Sequence, residues 1–222
     1  MTTHFLHTAH RSRPLAGSAA LVLALALLGG CASGLLPKPA AQPTLLRLED
    51  GPASAMPAAP ASARPGDGAA TLIVDMPRAA AGLDTRNIAY LRRPFEIEYY
   101  AVHQWVETPA RMLAPLIVRA LQRGGAFGAV VAAPTGAAAG LRLETELLRL
   151  QQDFTQSPSR VRLTLRALLI DTATRRVLAW REFDASVVSA GDDAYGGAAA
   201  ANQAVQQVLA ELAAFCAAAA SP

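Results

Sequence analysis

The chain has 222 residues, of which 52% are hydrophobic and 17% charged, and its formal net charge is +3. This hydrophobic share is enough for a packed core, so the composition excludes wholesale disorder and predicts about one globular domain. Arg11 and Arg13 precede the first acidic residue, Glu49, and without residues 1–30 the chain carries 18 basic and 17 acidic side chains. A near-neutral body without a basic run lacks the electrostatic footprint of a nucleic-acid-binding protein, so we expect no nucleic-acid partner.

The N-terminus has the three regions of a secretory signal in their usual order. Residues 1–14 carry arginine without acid, residues 15–28 are almost entirely apolar, and Gly29-Gly30-Cys31 follows. As a helix the apolar run measures about 21 Å, which is shorter than the hydrocarbon core of about 30 Å. The pattern predicts a signal peptide over residues 1–30 rather than a transmembrane anchor.

Cys31, directly after small glycines, resembles the lipobox cysteine of bacterial lipoproteins. The resemblance implies that Cys31 is the lipid-attachment site, with a diacylglycerol thioether and an acylated amine (palmitate among the acyl chains), which together anchor a protein stably. Ala32 stands where inner-membrane lipoproteins of Gram-negative bacteria commonly have Asp, so the resemblance implies sorting to the outer membrane. The alternative is an ordinary secretory signal in which Cys31 is incidental.

The mature chain divides into a tether and one domain. After the cysteine, residues 31–42 are small, polar or proline residues apart from Leu35-Leu36, and they predict a flexible tether. Residues 43–222 form the predicted domain, with a long Ala/Pro-rich loop at residues 51–70. If Cys31 is a thioether, Cys216 has no disulfide partner, and its alanine-rich surroundings favour a small buried hydrophobic role.

Short extended segments dominate the first half of the domain. In the last of them before the first helix, Phe95, Ile97 and Tyr99 alternate with Glu96 and Glu98, which predicts one dry face and one wet face. The predicted strands of this half cover residues 45–48, 71–76, 87–92, 95–100 and 127–131.

The first helix is predicted to begin at Thr108-Pro109 and to end at Gly124-Gly125. Pro115 lies inside this segment, and because an interior proline removes a backbone hydrogen bond, we expect a kink or a later start. The apolar residues recur at helical spacing: Met112, Leu113, Leu116, Ile117, Ala120 and Leu121.

The second half contains three long strands and a final helix. Strands are predicted at residues 141–150, 160–171 and 176–188, with a hairpin turn at Asp171-Thr172-Ala173-Thr174. Asp192-Asp193 opens the helix with favourable negative charge. The fold class is therefore α+β: a mostly antiparallel sheet with two principal helices packed on it, in a single domain. The buried stripe of the final helix is predicted to be Ala201, Val205, Val208, Leu209, Leu212 and Phe215.

The order of several short motifs across residues 83–131 resembles the ABC-type transport auxiliary lipoproteins, the PqiC-like family. The resemblance extends to the Cys31 motif and the Asp171 turn, although Leu45-Leu46 stands where an aromatic residue is common and the Ala/Pro loop is longer. The motifs are Leu83-Asp84, Ile88-Ala89-Tyr90, Glu98-Tyr99-Tyr100, Trp105, Pro109, Leu116, Leu121, Gly125-Ala126-Phe127 and Val130-Val131.

The family resemblance implies an accessory subunit of a larger machine. Such lipoproteins work with an ABC ATPase, a permease and a mammalian-cell-entry (MCE) protein in moving lipids between the two membranes, and this chain would act on the outer-membrane side, facing the periplasm. Lys38 is the only lysine, so no phosphate-binding lysine motif exists and ATP hydrolysis must belong to another subunit. The alternatives are a stand-alone periplasmic lipid- or hydrophobe-binding lipoprotein and an envelope hydrolase.

The sequence gives no catalytic, metal or cofactor site that outweighs a structural role. His103 is the only histidine after residue 30, and although Glu107 or Asp75 could orient it, no serine nucleophile motif accompanies it. Glu144 and Glu146 share a strand face, where ion pairs with neighbouring arginines are expected instead of acid–base chemistry. We therefore predict a protein that is not an enzyme and needs no cofactor. The expected partners of the two glutamates are Arg142, Arg160, Arg162 and Arg166.

A group of aromatic residues precedes the first predicted helix. Tyr90, Tyr99, Tyr100 and Trp105 either pack in the core or, where exposed, supply the anchors of a protein interface. We select Tyr99, Tyr100 and Trp105 as the candidate partner interface. Its partner would be the MCE protein or a neighbouring copy of this chain in a homo-oligomer.

Overall fold

The structure is a computed structural model that describes residues 42–49 and 70–220. The predicted signal peptide, Cys31, all of the tether except Gln42 and all of the Ala/Pro-rich loop except Ala70 lie outside the described residues. The described residues share one hydrophobic core, as expected for a single α+β domain.

Nine strands and two helices make up the described part of the chain. In chain order the elements are β1 (Thr44–Leu46), β2 (Thr71–Val74), β3 (Arg78–Ala79), β4 (Asn87–Arg93), β5 (Glu96–Trp105), α1 (Pro109–Gly124), β6 (Ala129–Ala132), β7 (Leu141–Asp153), β8 (Arg160–Asp171), β9 (Val177–Val188) and α2 (Ala194–Ala220). Each predicted strand segment overlaps an observed strand, but β5 continues five residues further than predicted, to Trp105, and β7 three residues further, to Asp153. The two-residue β3 is an addition that the sequence did not indicate.

Strand β7 is the centre of a single mixed sheet. Along one edge it pairs antiparallel with β8 from Leu141↔Asp171 to Asp153↔Arg160, and β9 continues this meander antiparallel to β8. Along the other edge it pairs in parallel with β2, β3 and β4, one after another. The long antiparallel meander confirms the predicted sheet type.

The short strands extend the sheet sideways. Strand β6 pairs in parallel with β2, β5 pairs antiparallel with β4, and β1 pairs in parallel with β5. Parallel pairing of the short strands was not predicted, because alternation along a strand carries no information about the direction of its neighbour.

A β-bulge in β7 switches which residues face the core. The register with β8 shifts between Leu147 and Arg149. Before the shift the odd positions up to Leu147 are buried, and after it Leu150 and Gln152 are buried instead. An extra residue in one strand therefore reverses the alternation that a sequence reading extrapolates.

Helix α1 begins at Pro109 and ends with Gly125 in the left-handed conformation, at φ 66°. Both boundaries confirm the prediction, and the alternative of a late start is wrong. Pro115 is tolerated because it lies on the exposed side of the helix, while its neighbours Leu116 and Ile117 are buried.

Helix α2 packs against β8 and β9 and against α1. The Asp193 Oδ1 atom accepts a hydrogen bond of 2.7 Å from the Gly196 N–H, as expected for an N-terminal cap. By length and composition α2 is also long and apolar enough to cross a membrane. Here its apolar side packs on the sheet, with Ala204, Val208 and Leu212 at most 2% exposed.

The hairpin turn predicted at Asp171-Thr172-Ala173-Thr174 connects β8 and β9. The Asp171 Oδ1 atom accepts hydrogen bonds from the Thr174 N–H at 2.7 Å and from the Thr174 hydroxyl at 2.9 Å. These bonds, led by the backbone one, lower the pKa of the Asp171 carboxyl. Hydrogen bonds that the aspartate side chain accepts from a later residue of the same turn stabilise the turn, which fixes the register of the hairpin.

The two faces of the sheet differ. One face meets α1 and α2 across the core. The opposite face of β7, β8 and β9 carries ion pairs, including Arg166 to Glu182 at 2.7 Å, Arg166 to Glu146 at 3.3 Å and Arg142 to Asp75 at 2.9 Å. This opposite face is half-exposed among the described residues and is available to other molecules.

Candidate partner interface

The three aromatic residues selected as a candidate interface have different environments. Trp105 is 3% exposed and belongs to the core. Tyr100 is half-buried, and Tyr99 is 40% exposed. The sequence left core packing and interface as alternatives for this cluster. The structure places Trp105 in the core and leaves Tyr99 as the one of the three whose side chain is exposed to a partner.

Tyr100 belongs to a buried polar network. Its hydroxyl donates a hydrogen bond of 2.8 Å to the Gln152 Oε1 atom. The Gln152 Nε2 atom donates to the hydroxyls of Ser159 and Ser189 at 3.0 and 3.3 Å. Burial raises the pKa of Tyr100 to about 12, with a smaller contribution from the charge of Asp193. These contacts give Tyr100 a structural role between the sheet and the start of α2.

Tyr90 lies beside Tyr100, with 4.8 Å between the ring centroids. The Tyr90 hydroxyl donates a hydrogen bond of 2.8 Å to Glu98, and this bond is the main reason why the pKa of Tyr90 is raised. The Arg92 guanidinium lies 5.3 Å from the centre of the Tyr90 ring. These contacts lie on the side of the β4–β5 hairpin that faces Gln152.

The prediction that Phe95, Ile97 and Tyr99 form the buried face of β5 is wrong. Phe95 is 104% exposed, Ile97 47% and Tyr99 40%, whereas Glu98, on the predicted wet face, is half-buried. The reason is that the Glu98 and Tyr100 side chains face the Gln152 network, so the alternate positions of β5 face away from it. Ile97 and Tyr99 are exposed apolar residues on this side of β5, and Val102 is exposed beyond the register shift between Tyr99 and Gln104; we call these three residues the Tyr99 surface.

The sequence analysis missed another exposed aromatic residue, Trp180 in β9. It is 65% exposed, and its neighbours Val177 and Leu178 are 50% and 48% exposed. The sequence contained a signal for this exposure. Trp180 lies at alternate positions with the polar Glu182 and Asp184, on the same side of β9, whereas Phe183 lies on the other, buried side. An aromatic residue on the polar side of an alternating strand indicates an exposed anchor.

The residues considered for chemistry have structural surroundings. His103 is half-buried, and its ring lies edge-on to Tyr100 with 6.0 Å between centroids. Glu144 lies 3.9 Å from Arg78, and Glu146 lies 3.3 Å from Arg166. Arg166 is one of the predicted partners, whereas Arg78 was not considered. Within residues 42–49 and 70–220, no three His, Cys, Asp or Glu side chains are grouped closely enough to hold a metal ion.

Two cavities are relevant to ligand binding. One of about 10 Å³ lies between the sheet and α2, lined by Ile88, Trp105 and Val161 among others. The other, of about 330 Å³, is an open depression beside Arg47, Leu48, Glu49 and Arg119. The first holds about one water molecule, and the second is shallow and lined mostly by charged side chains.

Comparison with known proteins identifies the family. Residues 54–213 match the sequence model of the ABC-type transport auxiliary lipoprotein component. The chain belongs to this family. The match confirms the resemblance noted in the sequence and spans β2 to most of α2, including the Tyr99 surface and Trp180.

Solved structures share the fold of this ABC-type transport auxiliary lipoprotein. It is 26% identical to the protein XCC0632 from Xanthomonas campestris, of the DUF330 family, with 81% of this chain and 96% of that chain covered and a TM-score of 0.66. A second, uncharacterized protein is 16% identical, with 66% and 91% of the two chains covered and a TM-score of 0.58. The search of curated proteins gave no match.

Proposed function

We propose that this lipoprotein is a non-enzymatic accessory subunit of an ABC/MCE-type system that transports lipids between the two membranes of a Gram-negative bacterium. The domain, residues 43–222, would be held at the periplasmic side of the outer membrane by Cys31 and the tether at residues 31–42, after removal of residues 1–30. The family match supports the auxiliary role in ABC transport.

The single observation that carries this proposal is the combination, within the described residues, of a packed core whose cavity beside α2 is small with exposed apolar side chains. A protein that carries a lipid alone needs a cavity of several hundred cubic ångströms with an apolar lining. The cavity between the sheet and α2 measures about 10 Å³, and the depression of about 330 Å³ is open and has charged residues in its lining. This arrangement supports docking to partners over solitary lipid binding.

The Tyr99 surface is the proposed contact with the MCE partner. The Tyr99 side chain is held in position by a hydrogen bond of 3.4 Å that its hydroxyl donates to the Gly82 carbonyl. Ile97 and Val102 add exposed apolar area along the same strand. A tyrosine held rigidly at a surface gives contact area at little cost in side-chain entropy, which is typical of interface anchors.

Affinity purification of the natively lipidated protein from detergent-solubilised envelope tests this function. We expect the MCE protein and its ATPase to be recovered with it, and Tyr99→Ser to lower that recovery several-fold. Trp180→Ser is the matched control, because it removes an exposed aromatic residue at the opposite edge of the sheet. Mass photometry of the eluate shows whether copies of the chain associate with one another.

Recovery of the lipoprotein alone with an equimolar amount of phospholipid would overturn the proposal in favour of a stand-alone lipid-binding protein. Equal losses for Tyr99→Ser and Trp180→Ser would contradict the assignment of the partner surface. Fractionation of Cys31→Ser tests the anchor, and we expect this variant to leave the outer-membrane fraction for the soluble periplasmic fraction.

A further inference from the structure

The apex of the β4–β5 hairpin carries a fully exposed phenylalanine in a strained conformation. Phe95 is 104% exposed and has φ 70°, in the left-handed region that bulky residues avoid. No burial in the described structure compensates for this conformation. Residues held in sparsely populated backbone conformations are concentrated at functional sites, among them ligand clamps and switch regions.

Other features of the fold lie at the same end of the sheet as Phe95. Strands β4 and β7 are parallel, so the hairpin apex, the β7–β8 loop at residues 154–159 and the β9–α2 loop at residues 189–193 lie together. Tyr195, in the first turn of α2, is 75% exposed. We call this region, with Phe95 at its apex and Tyr195 at its side, the tip end.

The charges at the tip end are mixed, and its acidic groups are already engaged. Arg93 pairs with Glu96 at 3.6 Å on the surface. Asp193 caps α2, and Asp192 accepts a hydrogen bond of 3.4 Å from the Ser159 N–H. Arg92 lies over the Tyr90 ring. Aromatic residues next to arginines form the pattern that proteins place at the headgroup level of a bilayer.

The direction of β1 shows where the N-terminal segment leaves the domain. Because β1 is parallel to β5 and Thr44 pairs with His103, the chain that precedes Thr44 leaves towards the start of β5, which is the tip end. Eight positions of β5 and its turn separate His103 from Phe95. At about 3.3 Å per residue, Phe95 lies roughly 26 Å beyond the point of exit.

The chain before Gln42 is long enough to bring the tip end to the anchor. Eleven peptide units separate Cys31 from Gln42 in the sequence. Fully extended, they span at most about 40 Å, which exceeds the roughly 26 Å between the exit point and Phe95. Cys31 and Phe95 can therefore reach the same bilayer surface.

We propose that Phe95 inserts into the headgroup region of the membrane that carries the Cys31 anchor, so that the tip end faces this membrane. The inference rests on the proposed anchoring at Cys31. A single projecting side chain suits a lipid interface, which accepts an apolar residue to a depth of about 5–10 Å. A stable protein contact instead buries about 800 Å² on each partner, more than one projecting side chain supplies.

Tryptophan fluorescence in the full-length, natively lipidated protein tests this orientation. The probe is Phe95→Trp combined with Trp180→Phe, so that the other indole, Trp105, is buried in the core. The proteins are reconstituted in phosphatidylethanolamine and phosphatidylglycerol vesicles with or without brominated acyl chains. We expect brominated lipid to reduce the fluorescence of the introduced indole roughly twofold, with a blue-shifted emission, as for a residue at the membrane interface.

The natural protein is the matched control. Its exposed Trp180 pairs with Leu168, towards the end of the sheet opposite Phe95, and we expect no quenching there. Absence of quenching at position 95 while the protein stays with the vesicles would overturn the orientation and leave the anchor intact. A blue shift that depends on protein concentration and not on bromine would assign Phe95 to a protein contact and also overturn the inference. Loss of the natural protein from the vesicles would refute the Cys31 anchor and the orientation together.

Discussion

At the scale of single residues, two adjacent glycines explain how α2 starts so close to the sheet. A Cβ atom on Gly196 would lie 2.5 Å from the Gly191 carbonyl oxygen, and one on Gly197 would lie 2.1 Å from the Gln152 Oε1 atom. Gln152 is 2% exposed and fixed by the hydroxyls around it. Glycine is therefore required for packing here, although it is a poor helix former.

We predict that Gly196→Ala lowers the free energy of unfolding by about 2–4 kcal/mol, because the methyl group meets backbone atoms that cannot move aside. Urea denaturation followed by circular dichroism measures the change. Gly136→Ala is the control, since a Cβ at Gly136 meets nothing within 4 Å. Equal stabilities for the two variants would contradict the close approach of α2 to the Gly191 loop.

Cys216 shows how burial controls reactivity. The side chain is 0% exposed, and burial raises the pKa of the thiol to about 12. Since the folded state holds this proton more tightly than the unfolded state, the thiol contributes stability below the unfolded pKa of about 9 that is lost as the pH rises towards 12. This behaviour agrees with the small buried hydrophobic role expected from the sequence.

We predict that iodoacetamide at pH 8 does not alkylate Cys216 in the native protein and does so after unfolding in urea. Mass spectrometry of the natively lipidated protein should then count one alkylated thiol, because Cys31 would be a thioether. We also expect Cys216→Ala to weaken the fall in stability between pH 9 and pH 11. Rapid native alkylation would contradict the buried environment, and a second alkylated thiol would contradict lipidation of Cys31.

At the scale of elements, α1 contains a local defect that its packing overcomes. Pro115 has no N–H group for the bond to the carbonyl of Arg111, yet the helix continues from Pro109 to Gly124. The buried side of the helix supplies the compensation through Leu113, Leu116 and Ile117, each at most 2% exposed. Tertiary packing thus overrides the local preference that predicted a late start of the helix.

We predict that Pro115→Ala raises the free energy of unfolding by about 1–3 kcal/mol, because it restores one backbone hydrogen bond and removes no buried contact. Thermal and urea denaturation measure the gain. Gln206→Ala, at an exposed position of α2 with an intact backbone N–H, is the control and should change stability by less than about 0.5 kcal/mol. A loss of stability in Pro115→Ala would mean that α1 depends on the proline geometry.

At the scale of the whole molecule, the sheet has a central strand and two kinds of edge. Strand β7 has hydrogen-bonded neighbours on both sides, whereas β9 pairs only with β8 among the described residues. The outer edge of β9 therefore presents unpaired backbone groups beside Val177, Leu178 and Trp180. Local stability is therefore expected to be higher at the central strand β7 than at β9, whose outer edge can pair with another strand.

We predict that hydrogen–deuterium exchange is slowest at the amides of β7 and β8 and fast at the amides of β9 that point away from β8. Mass spectrometry of peptic peptides reads this pattern in the natively lipidated protein. The control is the same measurement in urea just below the unfolding transition, where protection of β7 should be lost last. Uniformly strong protection of β9 in the purified protein would show that another strand covers its edge.

Much of this architecture could be predicted because it depends on local patterns. The bounds of β8, the Asp171 turn, the Pro109 start and Gly125 end of α1 and the aspartate that opens α2 follow from turn chemistry, capping and alternation. Each is decided by residues close together in the chain. The lipobox resemblance of Cys31 and the family membership also depend on the sequence alone.

The candidate interface could be predicted only in part, because exposure is not a local property. Alternation assigns Ile97 and Tyr99 to one side of β5 and Glu98 and Tyr100 to the other, but only the positions of Gln152 and α2 decide that the Tyr99 side is the exposed one. Trp105, in the same cluster, is in the core because its side chain lies between the sheet and α2, beside Ile88 and Ala201. The direction of β1, on which the inferred orientation towards the membrane depends, is likewise decided by its pairing with β5. Periodicity along a strand determines which residues share a face, whereas only tertiary packing determines which face meets water and which way a neighbouring strand runs.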